Sequence, residues 1–126
     1  MSKSLKNFIT IKQILEQFNP RQVRFLFLIH SWNSLMNYTT EKSLPEAVQK
    51  ERKFTEFFRT VKALTRNVKI AETEQRWNAQ DELLSSALQK AQKAVRLALC
   101  DSFDTPTAVN ELSELVVKTN TYVQQS

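Results

Sequence analysis

Glycine is absent from this chain of 126 residues. Average usage is about 7%. The absence excludes glycine-rich phosphate loops and the hairpin turns that need positive φ at low cost. Cysteine occurs once, which excludes an internal disulfide framework. Histidine also occurs once, and no Cys, His, Asp and Glu cluster accompanies it, so no metal site is expected. No apolar run reaches the roughly 18 residues that a membrane-spanning helix requires. The polar, basic opening is not followed by the apolar stretch and small-residue cleavage site of a signal peptide. These absences fit a reducing, cytosolic setting without membrane contact.

What is present favours helix. The chain is rich in Ala, Leu, Glu, Gln, Lys and Arg, the good helix formers. Its length suits one domain that buries roughly two-thirds of its unfolded surface. A net charge of +5 and a pI near 9.5 make acidic partners and nucleic acid eligible, although the excess is modest.

Periodicity predicts five helices. Thr10 caps a short one over Ile11 to Phe18, with Ile11, Ile14, Leu15 and Phe18 on one face. Asn19-Pro20 ends it, and Pro20 suits the first turn of a second helix reaching about Ser31. Val23 and Phe25 to Ile29 make that helix apolar almost all round, so it is expected to be deeply buried. Trp32 to Lys42 reads as a loop. Ser43 and Glu46 form a capping box for a long helix to about Ala71. Its stripe is Ala47, Phe54, Phe57, Phe58, Val61, Leu64 and Val68. Glu72 to Asn78 is a polar connection.

A fourth helix is predicted over Ala79 to Leu99. Its apolar side carries Leu84, Ala87, Leu88, Ala91, Val95, Ala98 and Leu99. After a turn at Asp101 to Asp104, Thr105-Pro106 supplies a cap and a first-turn proline for the fifth. Ala108, Val109, Leu112, Leu115, Val116, Thr119 and Val123 form its stripe. No repeat or low-complexity tract occurs. The expected fold is all-α: short helices followed by three long ones in an antiparallel bundle. Helical pattern runs to the last residues, so a further helix is expected beyond them.

Three stretches carry a resemblance to a known family. Met1 to Phe8 read M-S-K-S-L-K-N-F, which resembles the K-M-S-K-S signature loop of class I aminoacyl-tRNA synthetases without its first lysine. Arg21 to Trp32 read R-Q-V-R-F-L-F-L-I-H-S-W, followed by Tyr38. Ala98 to Ala108 read A-L-C-D-S-F-D-T-P-T-A, followed by Asn120. Together they resemble the cysteinyl-tRNA synthetases of the eukaryotic cytosolic type.

The resemblance implies a catalytic loop at the start of the chain and a stem-contact region over 1–40. It implies a helical bundle of the DALR or anticodon-binding type over 41–126. ATP and zinc are implied for the whole enzyme, cysteine–tRNA ligase. The family's His-Ile-Gly-His-type motif and zinc ligands lie upstream of the matching region. The chain is therefore expected to be an inactive C-terminal fragment, with the catalytic domain and tRNA as partners.

Individual residues have competing readings. Lys3 stabilises charge on departing pyrophosphate in the enzyme reading, aided by Ser2 and Ser4; alternatively, the three are solvated terminal residues. Arg21 and Arg24, three apart on one face, contact tRNA phosphates or are ordinary surface arginines. Lys6 and Lys12 carry a weaker version of the same reading. Lys50, Arg52, Lys53, Arg59, Lys62, Arg66 and Lys69 make the long helix basic on its polar side, a tRNA-facing stripe or a plain solvated face.

His30 is expected to be buried and hydrogen-bonded. Trp32 and Tyr38 are expected to pack the loop on the core rather than stack on a nucleotide. Cys100 reads as a small buried hydrophobe. Asp104, Thr105 and Pro106 are explained by capping. The apolar second helix is expected to leave exposed surface, and hence to favour homo-oligomers. The rival reading is a free-standing helical interaction module that binds a partner helix in an open groove.

Overall fold

The computed structural model describes residues 10–35, 42–66 and 76–125. Five helices follow one another: α1 (Ile11–Gln17), α2 (Pro20–Leu28), α3 (Ser43–Arg66), α4 (Ala79–Cys100) and α5 (Thr105–Gln125). The all-α expectation holds: every regular element among the described residues is a helix.

The helix starts are chemically explicit. Thr10 accepts from Gln13 N–H at 3.2 Å, and the Gln13 side chain accepts from Thr10 N–H at 3.0 Å. Asn19 and Gln22 repeat this reciprocal box at α2, with Pro20 in the first turn where no N–H is needed. Asn78 and Asp81 build a third box at α4. At α3 the first intrahelical bond runs from Glu46 N–H to the Lys42 carbonyl. Ser43 is therefore already helical, one residue inside its expected cap position.

α5 starts one residue earlier than its proline pattern implies. Asp104, not Thr105, is its cap: its carboxylate accepts from Thr107 N–H at 3.2 Å and Thr107 Oγ1 at 2.6 Å. The tight α4–α5 turn brings this about. Ser102 and Phe103 have φ of 51° and 56°. This is the left-handed region, which costs a non-glycine residue about 1–2 kcal/mol. With no glycine in the sequence, two other residues take that geometry. In return the carbonyls of Leu97, Ala98 and Leu99 at the end of α4 all find donors, in Asp101, Asp104 and Phe103.

α5 is the centre of the long-helix layer. It pairs with α4 along an antiparallel hairpin and touches α3 on its other side, while among the described residues the α3 and α4 backbones do not approach each other closely. The Lys53 ammonium donates to Ser113 Oγ at 2.6 Å, joining the middles of α3 and α5. The expected bundle is thus an open layer in the order α3, α5, α4. Two small cores result. Leu26, Leu44 and Ala47 are at most 1% exposed, with Phe18, Phe25 and Ile29 packed against them. Ala91, Ala98, Ala108, Val109 and Val116 are buried at the hairpin.

Two burial expectations are corrected. α2 is not deeply buried: Leu26 is its one buried residue, and Phe27 is 61% exposed. Apolar composition gives a helix the capacity for burial, but α2 is covered chiefly by α3. Cys100 is exposed rather than buried, because it lies at the outer end of α4.

The far end of the hairpin is closed by a side-chain bond from Tyr122 Oη to the Asp81 carboxylate. The Asn78 backbone N–H and then the Tyr122 hydroxyl hold Asp81 below its ordinary pKa of 3.8. The folded state therefore binds that proton less readily than the unfolded chain. The stabilisation is present above 3.8 and is lost as pH falls through the lowered folded value. We expect the urea midpoint to drop more steeply in this acid range for the native chain than for Asp81→Asn. Parallel acid profiles for the two proteins would refute the linkage.

Candidate nucleic-acid interface

Lys3, Ser2 and Ser4, the three signature-loop residues, lie outside the described residues, as do Lys6, Tyr38 and Lys69. The remaining candidate residues fall into two separate regions. The first is on α2. Arg21 and Arg24 are both exposed one turn apart, because the N-cap at Asn19 fixes where the helix begins. With Asn19, Pro20 and Glu51 they line a groove of about 520 Å3. Two guanidiniums facing one groove suit an oxyanion such as phosphate. Glu51 dilutes the positive charge there, and its carboxylate accepts from Thr55 Oγ1 at 2.8 Å.

The second region is the outer face of α3. Arg52, Arg59, Lys62 and Arg66 are all exposed. Their spacings of seven, three and four residues put them on one face of the helix. Arg52 also forms an exposed ion pair with Glu56 at 3.7 Å. Lys50 and Lys53 are half-buried and lie on other sides of the helix. The six of these basic residues that are described therefore do not form a single stripe. Charge density along a sequence does not report helical phase, and Lys53 spends its ammonium on Ser113.

Neutral expectations are resolved as well. His30 Nδ1 donates to the Leu26 carbonyl at 2.7 Å, so the imidazole finishes the end of α2. Trp32 does not pack its ring into the core. Its Nε1–H reaches the Ser102 carbonyl at 2.5 Å, while the ring stays 69% exposed. Among the described residues no three His, Cys, Asp or Glu side chains are grouped to hold a metal.

Sequence reasoning missed two features. Phe27 and Phe103 flank Trp32 at a second groove, which also includes Arg24. Asp81 and Tyr122 form the hairpin clamp. Neither had a local signal, because each joins residues far apart in the chain. A third cleft, of about 560 Å3, lies between α3 and the α4–α5 hairpin. Phe57, Trp77, Leu84, Leu88, Leu115 and Tyr122 give it an apolar wall.

Comparison with known proteins first defines a class. Residues 1–49 match the family described as the tRNA synthetases class I (C) catalytic domain. The relatives then narrow it. A cytoplasmic cysteine–tRNA ligase of Dictyostelium discoideum is 43% identical over 124 residues, covering 98% of this chain and 18% of that protein. That of Drosophila melanogaster is 41% identical over 130 residues, covering 100% and 17%. The Homo sapiens protein is 39% identical over 124 residues, covering 98% and 16%. The chain is homologous, over nearly its whole length, to a segment of the cytoplasmic cysteine–tRNA ligases. It spans less than a fifth of the length of these relatives.

Proposed function

We propose that the chain is a segment of a cytoplasmic cysteine–tRNA ligase that includes signature-loop residues and the tRNA-docking helices. The observation that carries this reading is identity of about 40% sustained across 98% or more of the chain. The whole enzyme would activate cysteine with ATP and transfer it to the tRNA 3′ end. In that enzyme Lys3, with Ser2 and Ser4, would stabilise charge on the departing pyrophosphate. Zinc would be held elsewhere in the enzyme. The segment by itself docks tRNA and performs no catalysis.

Arg21 and Arg24 on α2, with Arg59 and Lys62 on α3, are the phosphate contacts we assign to it. Such contacts position an RNA without reading its sequence. Lys50 and Lys53 are secondary in this reading, since both are half-buried. The catalytic domain is the second partner. The exposed apolar residues of α2, and Leu83 and Leu97 on α4, favour self-association when that partner is absent.

The test is a titration of fluorescent tRNA at two salt concentrations. Each neutralised phosphate contributes a slope of roughly −0.7 to the plot of log K against log salt. Four contacts then predict a loss of about 50-fold between 50 and 200 mM salt. Arg21→Ala should make the slope shallower by roughly one contact. Binding that ignores salt would refute the phosphate account. The apolar cleft between α3 and the hairpin favours the second reading, a groove for a partner helix. Sustained identity to the ligases ranks it below the first.

A further inference from the structure

Three aromatic side chains from two distant parts of the chain line one exposed groove of about 540 Å3. Phe27 is on α2, Trp32 follows α2, and Phe103 is in the α4–α5 turn. They are 61%, 69% and 70% exposed. Their positions are constrained nonetheless. The Trp32 indole N–H is bonded to the Ser102 carbonyl, across 70 residues of sequence. Phe103 sits in a left-handed backbone conformation that the helix-end hydrogen bonds maintain. Non-glycine residues persist in that region only where the surroundings over-determine them, and such outliers gather at functional sites.

Arg24 carries the formal charge among the residues that line the groove. The Asp104 carboxylate, next to Phe103 in sequence, is engaged by Thr107. Arg24 also lines the neighbouring groove that contains Arg21. A stacking surface therefore adjoins a pair of guanidiniums, with one arginine common to both. Open rings beside arginine suit a nucleotide: the base stacks on the aromatic face, and the phosphate meets the cation.

We infer that Phe27, Trp32 and Phe103 form a platform on which an unpaired RNA base stacks, with Arg24 holding the adjoining phosphate. This rests on the tRNA-docking reading and extends it from phosphate contact to contact with a base that is outside a helix. A duplex cannot use the platform, since its bases stack on one another. Selectivity for single-stranded over paired RNA is the consequence.

The full 126-residue chain is titrated with a fluorescein-labelled RNA dodecamer, single-stranded and annealed to its complement, at one salt concentration. The native protein should bind the single strand more tightly. Phe27→Ala and Phe103→Ala should each weaken single-strand binding by roughly tenfold and leave duplex binding unchanged. Both side chains are mostly exposed, so folding should survive, and helical circular dichroism checks this. Trp32→Phe keeps a ring and should lose less than Trp32→Ala.

Failures separate cleanly. If neither RNA binds, the docking reading itself falls. If both RNAs bind with normal salt dependence and the phenylalanine variants leave single-strand affinity unchanged, the platform alone is refuted. Equal losses for single strand and duplex also refute it. So does self-association that Phe27→Ala abolishes while single-strand affinity stays unaltered, because the rings would then be a contact between copies.

Discussion

Leu26→Ala should cost about 3 kcal/mol of stability, the usual scale for emptying a leucine site in a packed core. Leu26 is 1% exposed and is the one buried residue of α2. It meets Leu44 and Ala47 of α3, both fully buried, with Phe25 and Ile29 around them. The Phe25 ring also lies 5.8 Å from Phe54 of α3, centroid to centroid. The core has few other members, so nothing nearby can move in to fill the space. We expect α2 to leave α3 while α4 and α5 stay paired, because the hairpin has its own buried residues. Urea unfolding followed by circular dichroism, with hydrogen exchange at α2 amides, measures this. Leu28→Ala is the control, since Leu28 is 38% exposed and its loss should cost far less. Equal effects at positions 26 and 28 would show that α2 has no inward face.

The second large effect concerns the start of α5. Asp104→Ala should cost about 1 kcal/mol or somewhat more, the range for removal of a helix cap. Its carboxylate meets both the backbone N–H and the hydroxyl of Thr107. Its negative charge is also favourable at a helix N-terminus. Thr105→Ala, by contrast, should stay within about 0.5 kcal/mol, as for a substitution that breaks no cap. The order of the two variants in thermal unfolding decides where the helix begins. A larger loss at Thr105 would restore the cap position that the Thr-Pro pattern implies.

These two variants also mark the limit of local pattern. Thr105-Pro106 reads as cap and first turn because proline favours the first helical position. The turn at Ser102 and Phe103 then shifts the actual cap back by one residue. Apolar periodicity located α1, α4 and α5 to within a residue or so. It could not say which helices would cover one another. Sequence pattern makes α2 a candidate for complete burial, yet α2 shows Phe27 to solvent because its cover is mainly one helix. The same limit applies to the basic residues of α3. Their number is plain in the sequence, but Lys53 points to Ser113 on α5 whereas Arg59 and Lys62 face solvent.

The sequence by itself determined the helical class, the Thr10 cap of α1, the first-turn proline of α2 and the lineage. Each rests on residues close together in the chain: a helix former, a cap with its partner three residues on, or a contiguous motif. Only the tertiary structure decided that α5 lies between α3 and α4, that Asp81 meets Tyr122, and that Trp32 reaches Ser102. Those outcomes join residues 41 and 70 positions apart, and in the α5 case whole helices. Local propensity has no term for such distances. They are set by which apolar faces find cover once the helices exist, and by which donors then come within reach of an acceptor.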